Sequence, residues 1–337
     1  MTLVRIIKNW EWPDLMRQTP GRNGFWGGLQ FTLERADTCD YVIVLNRVPE
    51  DTALQCRPEN VWAIMQEPPN EHFKPMHRGS LSCKRVYTTD VDLRGRQYVH
   101  SHPALPWHVN RDYDYLTSCS LPTKERSLSW ITSNIGVFEG HRARLRFLET
   151  IRGQVSFDLF GRGFAEIQDK WDGLAPYRYS LVVENFRNAY YWSEKIADCF
   201  LAWTMPLYYG CTDITKYFPG EAVVRIDIDD PMVVERIRDV VSTDLSKRNL
   251  DAIAHARELV LRRHQLFPFV ADQIKEYEQS SSSRPVAAGA ILISDQPRWP
   301  DPLRVRVRRF VAKCGRTLAR WTGISVKSLT ASQLCLF

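Results

Sequence analysis

Short apolar runs closed off by polar residues recur through the first third of the chain: Tyr-Val-Ile-Val-Leu at 41–45, Val-Trp-Ala-Ile-Met at 61–65 and Arg-Val-Tyr at 85–87. Runs of this length, rich in β-branched and aromatic residues, predict buried strands. Helix-compatible stretches separate them, the alternation expected of a parallel sheet with crossovers. Pro103, Pro106 and Pro122 then punctuate a connection over 101–125. A second series follows, with strands predicted at Leu128–Thr132, Val155–Phe160, Tyr179–Val183, Met205–Tyr209 and Ala222–Ile226. Leu145, Leu148 and Ile151 fall on one face of a helix over His141–Arg152. Ser193 is placed to cap a helix running to Ala202, and further helices are expected at Val233–Val241 and Leu250–Leu266. The pattern predicts two α/β lobes, 1–122 and 123–278, joined by a proline-rich segment.

Beyond the second lobe the pattern changes. Gln279 to Pro300 holds four consecutive serines and three prolines and reads as a linker, 279–300. In the tail, 301–337, Leu303, Val307, Phe310, Cys314, Leu318 and Trp321 repeat at helical spacing, with Arg304, Arg308, Arg309, Lys313, Arg316 and Arg320 on the other faces. The chain carries a net charge of +6, and the tail accounts for it: eight basic residues against one acidic, leaving 37 basic and 38 acidic in the first 300. A neutral body gives nucleic acid no electrostatic footing, so no nucleic-acid partner is expected. A cationic amphipathic helix over 303–321 is instead expected to lie on an anionic membrane surface. No run of eighteen apolar residues occurs, Met1–Trp12 does not read as a signal peptide, and the eight cysteines are scattered without a CxxC pair. These features suggest reduced thiols and a cytoplasmic, peripherally membrane-associated protein.

The densest polar and aromatic segment runs from Tyr177 to Lys195. Glu184 and Asn185 leave an apolar strand at its carboxyl end, where α/β folds bind ligands. Ser193, Glu194 and Lys195 then open a helix whose free N–H groups and dipole favour an anion such as a diphosphate. Lys195 would add a point charge, and Glu194 could accept from sugar hydroxyls. Local physics leaves open the alternative of an ordinary capped helix with Lys195 in solvent.

This segment, Tyr179…Glu184-Asn185…Tyr191…Ser193-Glu194-Lys195…Pro206-Leu-Tyr-Tyr-Gly210, resembles the signature of glycosyltransferase family 10, the α1,3-fucosyltransferases. The resemblance is close from Tyr177 to about Ile228. Trp130-Ile-Thr-Ser-Asn134 and Arg144 are similar to the family's upstream strand and arginine helix. Ser193 stands where the family usually has threonine, and Val183 where it commonly has phenylalanine or cysteine. The resemblance implies a GT-B fold, two Rossmann-like lobes facing an interlobe cleft, followed here by the amphipathic helix. It also implies an inverting enzyme that moves L-fucose from GDP-β-L-fucose to an oligosaccharide or glycolipid acceptor, with α1,3-linkage to a GlcNAc-type sugar. Arg144 and Lys195 would hold the diphosphate, and Asn185, Tyr191 and Glu194 the nucleotide or fucose. Those cations meet the need of a leaving diphosphate without a metal. No cofactor is therefore expected to be required, while stimulation by magnesium or manganese stays open.

Inversion needs one carboxylate to take the acceptor's proton. Met65-Gln-Glu-Pro-Pro-Asn70, directly after a predicted strand, is similar to the family's Glu-x-Pro segment, which makes Glu67 the candidate base and Glu71 its nearest rival. The glycine-rich Gly21–Gly28 lacks phosphate-loop spacing, so Trp26 within it is a stacking surface for acceptor or part of a plain turn. His100, His102 and His108 read as a packed loop rather than metal ligands, and Asp227, Asp229 and Asp230 as a strand end turning at Pro231. A bacterial enzyme of cell-surface glycan synthesis, at the cytoplasmic face of the inner membrane, is the setting these expectations suggest. The same fold with another nucleotide-sugar donor, and a catalytically silent carbohydrate-binding scaffold, are the alternatives.

Overall fold

A computed structural model describes residues 1–280 and 288–296. The first lobe is built on strands β1 (Thr2–Ile7), β2 (Phe25–Trp26), β3 (Leu29–Thr32), β4 (Tyr41–Leu45), β5 (Thr52–Cys56), β6 (Val61–Ile64), β7 (Arg85–Thr88) and β8 (Tyr98–His100). Seven of these form one sheet in the order β2-β3-β1-β4-β6-β7-β8, parallel except for the β2–β3 pair. β4 and β6 are buried at every position because the sheet is covered on both sides. The period of two sorts their side chains: Ile43, Leu45, Trp62 and Ile64 enter one core, and Val42, Val44, Val61 and Ala63 the other.

After α1 (Tyr113–Ser118), the second lobe comprises β9 (Arg126–Ile131), α2 (Glu139–Ile151), β10 (Asp158–Phe160), β11 (Tyr177–Val183), α3 (Glu194–Leu201), β12 (Met205–Tyr209), β13 (Val224–Arg225), α4 (Val233–Ser242), α5 (Leu245–Arg248) and α6 (Leu250–Leu259). Its sheet is wholly parallel, in the order β10-β9-β11-β12-β13. The two lobes are thus the two α/β sheets expected of a GT-B fold. The expected N-cap is present: the Ser193 hydroxyl accepts from Lys195 N.

Three expectations are corrected. The helix expected over Leu250–Leu266 breaks in a π-turn at Val260–His264, where the His264 ring meets Tyr217 O at 2.9 Å. A new helix, α7 (Leu266–Ser280), begins there, with Pro268 in its first turn. Its Leu266, Phe267, Val270 and Ile274 enter the first lobe's core beside Trp62 and Ile64. A division that places residues up to 278 in the second lobe therefore does not follow the packing. Within the segment read as a linker, Gly289–Ile293 forms β14, antiparallel to β5, with Ile293 buried on the opposite face of the first sheet. The short Ala-Ile-Leu-Ile run supplies the apolar contact that a serine-rich surrounding concealed. The helix expected at 303–321 lies outside the described residues.

Candidate functional site

In the second sheet β9 has β10 on one side and β11 on the other, so the order of the strands reverses between β9 and β11. Ligands in open α/β sheets bind beyond the carboxyl ends of the strands at such a point. Here those ends deliver Ser133 and Asn134 after β9, and Glu184 and Asn185 after β11.

Glu184 organises this edge. It is 1% exposed and accepts from Ser193 N at 2.8 Å, from the Ser193 hydroxyl at 2.7 Å and from Lys195 Nζ at 3.3 Å. The strand end is thereby tied to the first turn of α3. Gly210 at the end of β12 leaves the room this requires, because a Cβ there would lie 2.5 Å from both Glu184 Cγ and the Tyr208 hydroxyl. Gly140 in α2 serves the same purpose, since its Cβ would sit 1.8 Å from Asn185 O.

A second set of charges backs the first. Lys170 Nζ lies 3.2 Å from Glu194, 3.0 Å from Asp198 and 3.4 Å from His108 Nδ1. Asp198 also accepts from the His108 and Val109 amides, at 2.7 and 3.2 Å, fixing the interlobe connection to α3. Burial works against the charge on Lys170, but Asp198 and Glu194 outweigh it and raise its pKa. Burial likewise opposes the Glu194 carboxylate, yet Lys195 and Lys170 hold its pKa well below the usual range. His108 is pushed down to about 3, chiefly by burial, and is neutral. A buried carboxylate between two lysines stays charged and directed.

Arg144, on α2, reaches Ser133 O and its hydroxyl at 3.3 and 3.2 Å, while its buried Nε has no hydrogen-bond partner. Phe138 N, 3.4 Å from His141 Nδ1, can only donate, so the ring proton is on Nε2 and faces the Asn185 amide at 3.3 Å. The Asn185 side-chain oxygen, otherwise unpaired, accepts that proton when the amide is turned toward it. Tyr191 is buried, and burial together with Glu184, Glu194 and Glu67 raises its phenol pKa far above normal.

Glu67 enters from the first lobe. His77 Nε2 meets Glu67 O at 2.9 Å, and its Nδ1 meets the Thr88 hydroxyl at 2.7 Å, so Nε2 carries the proton and pins the main chain. Burial raises the Glu67 pKa, the Glu194 charge adds to the rise, and Lys195 opposes it. Among the described residues, no hydrogen bond or ion pair reaches its carboxylate. Glu71, the rival, is exposed.

The structure therefore places Arg144, Asn185, Tyr191, Glu194 and Lys195 on the second lobe and Glu67 on the first, within reach of the charges of Glu194 and Lys195. Sequence reasoning left out Glu184, Lys170, Asp198, His108 and His141 from the site. Only Glu184 had a signal, as the first polar residue beyond the strand. Trp26 is half-buried, its ring packed edge-on against Tyr113 at 5.3 Å. His102 stacks on Trp192 at 4.9 Å in a packed loop. Among the described residues, no three His, Cys, Asp or Glu side chains group as a metal cluster.

A helix N-terminus carrying Lys195, a buried Arg144 with a free donor and an acid from the facing lobe have the charge complement of an anion-binding cleft. Residues 121–242 match the family described as "Glycosyltransferase family 10 (fucosyltransferase) C-term". The chain is 24% identical over 232 residues to Alpha-(1,3)-fucosyltransferase 4 of Rattus norvegicus, covering 64% of this chain and 51% of that relative. It is 20% identical over 175 residues to 4-galactosyl-N-acetylglucosaminide 3-alpha-L-fucosyltransferase 9 of Mus musculus, covering 50% and 44%. The chain thus spans about half the length of the curated relatives it matches. A crystal structure of an alpha1,3-fucosyltransferase with GDP-fucose aligns at a TM-score of 0.47 and 14% identity, over 84% of this chain and 92% of that one.

Proposed function

We propose that the protein is an inverting fucosyltransferase that takes L-fucose from GDP-β-L-fucose and places it, α1,3-linked, on a GlcNAc-type sugar of a glycan acceptor. The observation that carries this reading is the placement of a half-buried Glu67 on the first lobe, within reach of the charges of Glu194 and Lys195 on the second, inside a chain whose residues 121–242 match the family 10 model. Arg144 and Lys195 hold the diphosphate, helped by the α3 N-terminus. Its arrival draws Lys195 from its resting place between Glu184 and Glu194, and Lys170 stays behind to keep Glu194 ionised for donor hydroxyls. Glu67 removes the acceptor proton as its oxygen attacks the anomeric carbon from the face opposite the departing GDP. The elevated Glu67 pKa suits a base that must take that proton. No metal step is needed. The same proposal places residues 303–321 on an anionic membrane at the cytoplasmic face, testable by sedimentation with phosphatidylglycerol vesicles.

The test is GDP release from GDP-fucose, with and without N-acetylglucosamine, lactose or N-acetyllactosamine, by wild type and Glu67→Ala. Acceptor-stimulated release in wild type should fall about 10³-fold in the variant, the range for loss of a general base. Stimulated release that survives the substitution moves the base elsewhere. Turnover with another nucleotide sugar but not GDP-fucose overturns the donor assignment, and GDP binding without any transfer favours a silent scaffold.

A further inference from the structure

Trp12 is 58% exposed, and its ring centroid lies 4.6 Å from that of His108. His108 Nδ1 is in turn 3.6 Å from Glu194 Oε1, so Trp12 stands two contacts out from the reactive cluster. The Arg17 guanidinium lies 5.8 Å from the Trp12 ring and is itself buried, donating to Trp107 O at 2.8 Å and to Asn110 Oδ1 at 3.1 Å. Lys8 Nζ donates to Trp10 O and Glu11 O, gathering the loop that carries Trp12.

A single exposed apolar residue is ordinary on a protein surface. Trp12 differs in being seated. His108 and Arg17, both fixed by the interlobe connection, back its ring while most of its surface stays open. Holding a large rigid ring open beside a group of carboxylates and lysines suits a ligand that is apolar on one face and hydroxylated at its rim. A pyranose is such a ligand: its axial C–H bonds meet the negative face of an indole, and its hydroxyls remain free for polar partners.

On the fucosyl-transfer reading above, we propose that Trp12 is the acceptor platform. It receives the C–H face of an acceptor pyranose and thereby turns one ring hydroxyl toward Glu67. This assigns to Trp12 the stacking role that the sequence suggested for Trp26.

The experiment compares wild type with Trp12→Phe, Trp12→Leu and Trp12→Ala, using GDP-fucose and N-acetyllactosamine. Because Trp12 is largely exposed, these substitutions leave the core intact, which melting temperatures verify. The KM for N-acetyllactosamine should rise about tenfold in the Leu and Ala variants, an effect of about 1.4 kcal/mol. In the Phe variant it should stay within about threefold of wild type, and the affinity for GDP alone, measured by calorimetry, should be unchanged in all three. An unchanged KM in Trp12→Ala overturns the platform. So does a Leu variant that matches Phe, because stacking then has no part. A parallel loss of GDP affinity also overturns it, by making Trp12 a support for the donor side. If wild type itself transfers nothing to any of the acceptors named above, the function reading fails and the platform with it. That case is distinct because wild type rather than the variants lacks turnover.

Discussion

The two halves of the cleft are built by opposite means. On the second lobe, Glu184, Ser193, Lys195, Glu194, Lys170 and Asp198 form a continuous set of hydrogen bonds and ion pairs. On the first lobe, Glu67 is pinned only through its main chain, and its carboxylate has no partner among the described residues. A diphosphate is a fixed, highly charged object and can be met by a preformed cradle. A base must change its protonation state during the reaction, and a carboxylate locked in an ion pair would hold a low pKa and be a poor one. On the proposed function the contrast teaches that preorganisation serves the leaving group, while reactivity is kept by leaving one acid unpaired.

The sharpest way to break this contrast is to damage the cradle without touching a ligand-facing group. Gly210→Ala forces its Cβ onto Glu184 and Tyr208. We expect GDP affinity to fall by about 10²-fold or more, with a lower melting temperature measured alongside by calorimetry. Next, Lys195→Ala should cost about 10²–10³ in kcat, the usual loss when one donor to a developing charge is removed. Equal kcat in wild type and variant would mean the diphosphate is held elsewhere.

A smaller effect is expected from Lys170→Met, which strips Glu194 of the cation that remains when Lys195 moves. GDP-fucose KM should rise roughly tenfold, and Lys170→Arg should recover most of it. A purely structural role for Lys170 would show as lost stability with unaltered KM.

The pH dependence sharpens the comparison from both sides. Glu67 must be ionised to act, and burial raises its pKa above the ordinary 4.5, so the acid limb of the kcat/KM profile should lie above that value. Stability is governed by other groups. His77 and His264, buried and neutral, are pushed by burial from 6.5 down to about 4. Between those values the unfolded chain binds more protons than the folded one, so stability is full above pH 6.5 and is lost as the pH falls toward 4. Melting temperatures across that window should fall steadily, and a flat profile would contradict the burial of these rings.

What the sequence revealed follows from the range of the interactions involved. Ser193, Glu194 and Lys195 were legible because a helix N-terminus is written in consecutive residues. Arg144 and Glu67 needed the family resemblance, since an arginine in a helix or a glutamate before two prolines has many uses. Lys170, Asp198 and His108 come from three separate segments and meet only in the folded chain, so no spacing announces them. Trp12 and Trp26 look alike in sequence, and only the fold half-buries Trp26 edge-on against Tyr113 while Trp12 stays largely exposed. Residues 266–278 read as part of the second lobe because the apolar positions of a segment do not say which core it joins.

The return of α7 to the first sheet bears on the order in which the protein is made. The first lobe's strands leave the ribosome before those of the second, yet one face of their sheet is covered by residues 266–280 and the other in part by 289–293. The second lobe's strands and its helices through α6 are all synthesised before that cover arrives. Of the two lobes, the earlier-translated one is therefore completed last, and during synthesis its apolar sheet depends on the second lobe or a chaperone for protection.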